Sequence, residues 1–215
     1  MRTPKQIRVL LVDDHPVVRE GYRRLLDNEP DISVVGEGGN SDDACRLFDE
    51  LSPHVVILDL NMPGIGGIAT LSRLLVKNPA ACVLVFSMHD STTMISRALE
   101  AGAAGYLTKS SAAEQMLDAV RAVAAGKPYL NHNSLPSIML QLKSENPSPL
   151  SALSKREFEV FSRIAAGHTV AEIANELSIS PKTAGVHQTN IMNKLGLRNA
   201  AELTRLAIRS GVVNA

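Results

Sequence analysis

The sequence has few of the features that would assign it to a secreted, membrane or disordered class. Its two cysteines, Cys45 and Cys82, stand apart and each lies among apolar neighbours. They read as buried, reduced thiols, which fits a cytoplasmic protein and leaves no disulfide framework. No apolar run approaches the ~20 residues that cross a bilayer, so no membrane partner is expected. The opening Met1-Arg2-Thr3-Pro4-Lys5-Gln6 leads straight into an apolar run without a secretory signal. No internal repeat or low-complexity tract is present. Net charge is also absent, since 22 Lys and Arg balance 22 Asp and Glu, so charge alone names no nucleic-acid partner. With 45% hydrophobic and 20% charged residues, the chain can bury a core and is not disordered. Its 215 residues suit one large or two small domains.

The balance of charge conceals an asymmetry. Residues 1–127 carry 13 Lys and Arg against 16 Asp and Glu, a net of −3, whereas residues 148–215 carry 8 against 5, a net of +3. The patterning divides at the same place. Residues 1–127 alternate short apolar runs with helical stripes, and the runs begin at Ile7, Ile32, Val55, Cys82 and Ala104. Five such units predict a five-stranded, parallel, doubly wound α/β domain covered by helices on both faces. Ser41, followed by Asp42 and Asp43, is the expected N-cap of the second helix. Residues 128–147 are rich in Pro, Asn and Ser and read as a linker, with a short helix expected near Ile138–Leu142. Residues 148–215 read as a small all-α domain. Ser154 with Glu157 and Thr169 with Glu172 form capping boxes, Ser180 precedes Pro181, and Gly167 and Gly196 are helix stops. Asn199 opens the last helix.

The polar residues at the ends of the apolar runs carry the chemistry. Asp13 and Asp14 follow Ile7–Val12, Asp59 follows Val55–Leu58, Ser87 follows Cys82–Phe86, and Lys109 follows Gly105–Thr108. If these runs are parallel strands, all five residues share the rim where ligand sites of such sheets lie. Three acids placed so close require a cation, and a hard divalent ion with oxygen ligands fits. A carboxylate nucleophile, a metal, a hydroxyl and an ammonium are the parts needed to accept a phosphoryl group. A lone Asp usually just ends a strand or caps a helix, but five suitable residues at successive strand ends are a stronger signal.

These motifs, Leu10-Leu11-Val12-Asp13-Asp14-His15-Pro16, Leu58-Asp59-Leu60-Asn61-Met62-Pro63-Gly64, Ser87 and Gly105-Tyr106-Leu107-Thr108-Lys109, resemble the receiver domain of two-component response regulators. The resemblance implies that Asp59 accepts a phosphoryl group from a sensor histidine kinase. It also implies Mg2+ (or Mn2+) held by Asp14 directly, Asp13 largely through water and the backbone carbonyl of Asn61. Ser87 would bond one phosphoryl oxygen, Lys109 would neutralise another, and Tyr106 would couple its rotamer to Ser87. Ser110 stands where many receivers have Pro.

The tail resembles a LuxR-type helix-turn-helix, which makes the whole chain similar to the NarL/FixJ subfamily. The matching stretches are Leu153-Ser154-Lys155-Arg156-Glu157, Ala171–Leu177, Ser180-Pro181-Lys182-Thr183, Val186-His187 and Lys194-Leu195-Gly196. This implies a homodimer on promoter DNA, with DNA contacts drawn from Lys182, Thr183, Val186, His187, Gln188, Thr189 and Lys194. Lys182, Thr183 and His187 suit phosphates, while Val186 and Thr189 suit base edges; His187 equally suits packing. Ala184-Gly185 replaces a common Val-Lys pair, which removes a cation and places a costly Gly inside a helix. The expected function is a phosphorylation-controlled DNA-binding transcriptional regulator, a phosphoacceptor rather than an enzyme. One alternative is a phosphorylation-independent DNA-binding regulator that uses the receiver as a dimerisation platform. Another is a haloacid-dehalogenase-type enzyme, but that would carry an Asp-x-Asp motif on its first strand.

Overall fold

The computed structural model describes residues 6–62, 66–88, 90–130 and 149–213. With residues 89–94 left aside, the chain divides in sequence order into two compact units, an α/β unit and a helical one. In the first, strands β1 (Ile7–Val12), β2 (Ile32–Gly38), β3 (Val55–Leu58), β4 (Cys82–Ser87), β5 (Gly105–Thr108) and β6 (Tyr129–Leu130) alternate with helices. The helices are α1 (Pro16–Asp27), α2 (Ser41–Leu51), α3 (Gly67–Lys77), α4 (Thr92–Glu100) and α5 (Ala113–Ala124). The strands form one sheet in the order β2-β1-β3-β4-β5-β6, and every pairing is parallel.

Continuous apolar runs suit this sheet because both of its faces are covered. Ile7, Val9, Leu11, Ile57, Leu84 and Phe86 pack with Leu26 of α1 and Met116, Val120 and Val123 of α5. Their neighbours Leu10, Val12, Val56, Leu58, Val83 and Val85 are equally buried, so the opposite face is covered as well. Parallel register then aligns the strand ends. Val12 pairs with Leu58 and Ser87 with Thr108. The Asp59 N–H donates to the Val12 carbonyl at 2.9 Å, and the Lys109 N–H to the Ser87 carbonyl at 2.8 Å.

Two details differ from the sequence expectation. The sheet has six strands rather than five, because Tyr129 and Leu130 add a short strand beside Gly105 and Tyr106. Two residues carry no readable periodicity, so the sequence pattern leaves them in the linker. The N-cap of α2 is Asn40 rather than Ser41: the Asn40 side chain accepts the Asp43 N–H at 2.8 Å. Ser41 turns inward and accepts from the Thr70 hydroxyl at 2.7 Å. Most of the expected linker, its short helix included, lies outside the described residues.

The helical unit consists of a 3-10 turn (Pro149–Ala152), α6 (Lys155–Ala165), α7 (Val170–Glu176), α8 (Pro181–Leu195) and α9 (Ala200–Arg209). Both capping boxes close as read, Ser180 and Asn199 cap α8 and α9, and Gly196 ends α8 in the left-handed region at φ 64°. Phe158, Phe161, Ile173, Ala174, Ala184, Ile191, Leu203 and Ala207 form the interior. Arg163 of α6 reaches Glu176 of α7 at 2.8 Å, and Glu176 also holds His168 at 2.8 Å, clasping the α6–α7 corner. Among the described residues no helix is long and apolar enough to cross a membrane.

Gly67 is a glycine that packing requires. A Cβ there would lie 2.3 Å from the Leu60 Cα and 2.7 Å from the Asp59 carbonyl oxygen, backbone that cannot move without shifting the strand end. Gly67→Ala should therefore cost about 1–3 kcal/mol in denaturant unfolding of the α/β unit. At Gly21 in α1 a Cβ meets nothing within 4 Å, so Gly21→Ala should be neutral or stabilise by up to about 1 kcal/mol. Equal losses from the two substitutions would show that the contact at Gly67 is not what matters.

Candidate functional site

The strand register gathers Asp13, Asp59 and Lys109 at one point. Asp13 and Asp59 are 2% and 1% exposed, and burying two carboxylates side by side is costly unless a cation joins them. Lys109 supplies it. Its Nζ donates to Asp59 Oδ2 at 2.7 Å and lies 2.5 Å from Asp13 Oδ2 as an ion pair. Phe86 lies beneath the ammonium, 5.9 Å from Nζ to ring centroid, and Tyr22 meets Phe86 edge to face at 4.6 Å. The other Asp59 oxygen accepts the Asn61 N–H at 3.0 Å.

Burial raises the Asp59 carboxyl above the ordinary range, and Lys109 and the Asn61 N–H only partly offset it. Burial alone would lower the Lys109 ammonium, but Asp13 and Asp59 outweigh it and hold Lys109 above its usual value. The lysine thus stays a cation beside an acid that resists ionising. Such a pairing of perturbed groups at a strand-end rim makes this cluster the candidate site.

Asp14 completes the acidic edge. Its Oδ1 is a buried oxygen facing the His15 ring, as Asp13 Oδ2 is one facing the Lys109 ammonium. Asp13, Asp14, His15 and Asp59 each offer a ligand atom, and these atoms lie within 4.8 Å of one another. Hard carboxylate oxygens gathered this closely suit a divalent cation. Ser87 ends β4 fully buried and Tyr106 is buried in β5, both on strands that lead to this rim.

Two contributors were missed in the sequence. His15 places Nδ1 2.8 Å from Asp14 Oδ1 and 3.3 Å from Asp13 Oδ1. Arg19, four residues on and on the same helical face, donates to the Asp13 carbonyl at 2.5 Å. Adjacency to Asp13-Asp14 and an i, i+4 spacing were the available signals.

In the helical unit, Lys182, Thr183, Val186 and Thr189 are exposed along α8, and His187 and Gln188 are half-buried. Residues 182, 186 and 189 fall on one helical face, opposite the buried Ala184 and Ile191. The Thr183 hydroxyl is bonded to that of Ser180 at 2.8 Å, and Thr189 donates to the Gly185 carbonyl at 3.0 Å. Lys194 stands apart from this face. Its ammonium binds Glu157 at 2.7 Å, so it ties the end of α8 to the start of α6. A Cβ at Gly185 would meet nothing within 4 Å, so packing within the unit does not require glycine there.

Residues 9–121 match the response regulator receiver domain family, and residues 151–207 match the bacterial regulatory proteins of the luxR family. The chain is 40% identical over 215 residues to the response regulator GacA of Pseudomonas aeruginosa, covering 97% of this chain and 99% of GacA. It is 41% identical over 199 residues to the transcriptional regulatory protein UhpA of Escherichia coli, covering 93% of this chain and 96% of UhpA. Among solved structures, RcsB from Salmonella enterica serovar Typhimurium bound to promoter rprA in the presence of phosphomimetic BeF3- matches with a TM-score of 0.75 at 28% identity. That match covers 94% of this chain and 98% of RcsB.

Glu157 gives the helical unit a pH signature. The Lys194 ammonium and the Ser154 cap hold its carboxyl down at about 2. A depressed acid contributes stability that is complete above its unfolded value, near 4.3, and is lost as pH falls through the folded value. Stability of residues 148–215 should therefore decline between about pH 4.3 and 2. Glu157→Gln should cost about 1–2 kcal/mol at pH 7 and flatten that slope in acid-unfolding curves. An unchanged slope in the variant would sink this assignment.

Proposed function

Because the chain belongs to the response regulators, with a receiver domain followed by a luxR-family DNA-binding domain, we propose that Asp59 is the residue through which phosphorylation controls it. The Lys109 ammonium held between Asp13 and Asp59 on the strand-end rim carries this reading. An Asp59 carboxylate oxygen attacks the phosphorus of a phosphohistidine on a sensor histidine kinase. The O–P bond forms as the N–P bond breaks, leaving the histidine ring with the released electron pair. Lys109 neutralises one phosphoryl oxygen and the Ser87 hydroxyl donates to another, so transfer is mainly positioning and charge neutralisation.

Asp13, Asp14 and the Asn61 carbonyl would hold a divalent ion, Mg2+ or Mn2+. When bound, it supplies further positive charge against the phosphoryl oxygens. A dianion at Asp59 draws the Ser87 hydroxyl inward, and Tyr106 moves into the space this vacates. The last strand and α4 then change their outer face. The domains are 1–127, a linker at 128–147 and 148–215, and the protein works in the cytoplasm.

The exposed face of α8 is the DNA-reading surface. Lys182 and the helix N-terminus meet phosphates, while Val186, 52% exposed, and Thr189 meet base edges. Thr183, His187 and Gln188 flank that surface, and Lys194 reaches the backbone only by leaving Glu157. Two copies bind adjacent half-sites of promoter DNA; the similar RcsB is itself bound to promoter rprA in its solved structure. The exposed Arg205, Ile208 and Arg209 of α9 suit the contact between copies. A net of +3 on residues 148–215 is too little for one copy to bind tightly.

Asp59→Asn should abolish Mg2+-dependent labelling by acetyl phosphate, read by mass spectrometry or acid-stable gel shift, and equal labelling of that variant would refute the acceptor. On DNA, Lys182→Ala should weaken binding to all sequences alike and lower the salt slope by about 1, whereas Val186→Ala should change the preference between sites. Site-specific loss from Lys182→Ala would contradict its assignment to phosphate.

A further inference from the structure

We propose that Gly185 is a specificity-determining residue of the DNA-reading face, a notch in α8 that takes the 5-methyl group of one thymine in each half-site. The inference rests on the reading of α8 as the helix that enters the major groove, and it names the base feature selected there. Nothing within the helical unit accounts for glycine at this position. Gly185 lies inside the 15-residue helix α8, where glycine is less favourable than alanine because it loses more backbone freedom on folding. Its φ is not positive, so its backbone conformation is open to any residue. A Cβ there would meet nothing within 4 Å, so no neighbour in the unit uses the space. The missing side chain therefore costs the helix stability without any gain in packing, and its use lies in what the exposed face binds.

The chemistry around the notch selects its occupant. Gly185 follows Lys182 by three residues and precedes Thr189 by four, so it shares their face. The Thr189 hydroxyl donates to the Gly185 carbonyl at 3.0 Å. That hydroxyl is thus turned back onto the helix, and the other branch of the side chain is a methyl group. Val186, 52% exposed, adds two more methyl groups beside it. The Gly185 N–H and carbonyl are engaged in the helix itself. The middle of the face therefore presents C–H surface and no donor from Gly185, Val186 or Thr189. Among the groups that bases show in the major groove, the thymine methyl is the one that is neither donor nor acceptor. Without a Cβ at residue 185, that methyl reaches the helix backbone at ordinary contact distance, about 3.5–4.0 Å. Lys182, one turn earlier, meets phosphate and holds the register in which this contact forms.

The test uses the full chain with acetyl phosphate and Mg2+, and the duplex it prefers after selection from a randomised pool. Each thymine of that duplex is replaced in turn by deoxyuridine, which removes the 5-methyl group and leaves the hydrogen-bonding edge unchanged. For wild type, one thymine per half-site should lose about fourfold in affinity, the worth of one buried methyl. Gly185→Ala should bind the thymine duplex about tenfold more weakly, because two methyl groups then compete for one space. The same variant should bind the matching deoxyuridine duplex within about twofold of wild type, the coupling expected of groups in contact. Its unfolding temperature should equal or exceed that of wild type, which removes misfolding as the cause. No thymine sensitive to loss of its methyl, or additive effects of the two changes, would overturn the assignment. Lys182→Ala on the same duplexes separates the two failures. If it weakens binding to all sequences while Gly185→Ala changes nothing, only the notch is refuted. If neither variant weakens binding, the reading of α8 falls together with the inference.

Discussion

One buried cation holds the receiver unit's functional end together. Lys109 sits between Asp13 and Asp59, both almost wholly excluded from water, in a place where unpaired carboxylates would be strongly unfavourable. The three residues come from three different strands, so the ion pair depends on the parallel register, and the register depends on the apolar strands. A one-residue slip of β5 against β4 would turn Lys109 to the other face and leave two acids facing each other. Stability of the sheet and readiness of the site are thus the same requirement.

The same constraint explains why the site is poised rather than inert. Burial raises the Asp59 carboxyl, while Lys109 keeps its proton. A group arriving with negative oxygens finds an ammonium already desolvated and already in place, so little reorganisation is required. Gly67 belongs to this arrangement although it carries no functional group, because its missing side chain lets α3 begin against the Asp59 carbonyl.

The helical unit is built on another principle. Its helices are short, from 7 to 15 residues, and isolated helices of this length are marginal. Side-chain caps at four of its helix starts and the Arg163–Glu176 and Lys194–Glu157 pairs join a small apolar interior to fix them. Lys194 shows the consequence. A lysine near the end of α8 invites assignment to phosphate, yet tertiary structure places a buried acid beside it, and its charge is already used within the unit.

The sequence by itself determined the order of elements, the parallel α/β class, the helical tail and most helix starts. These follow from local chemistry: apolar runs, i, i+3 capping pairs, and Gly or Pro at helix ends. It also marked Asp13, Asp14, Asp59, Ser87 and Lys109, because each directly follows an apolar run and position at a strand end is a local property. The sixth strand was not legible, since two residues carry no period, and neither was the cap at Asn40, since Asn40 and Ser41 are equally good candidates until Thr70 draws Ser41 inward. Only tertiary structure decided which acids share one lysine, that Lys194 faces Glu157 rather than solvent, and that His15 turns toward the carboxylates. Each of those outcomes depends on which strands or helices become neighbours, and long-range pairing is set by the packing of the whole core rather than by any segment within it.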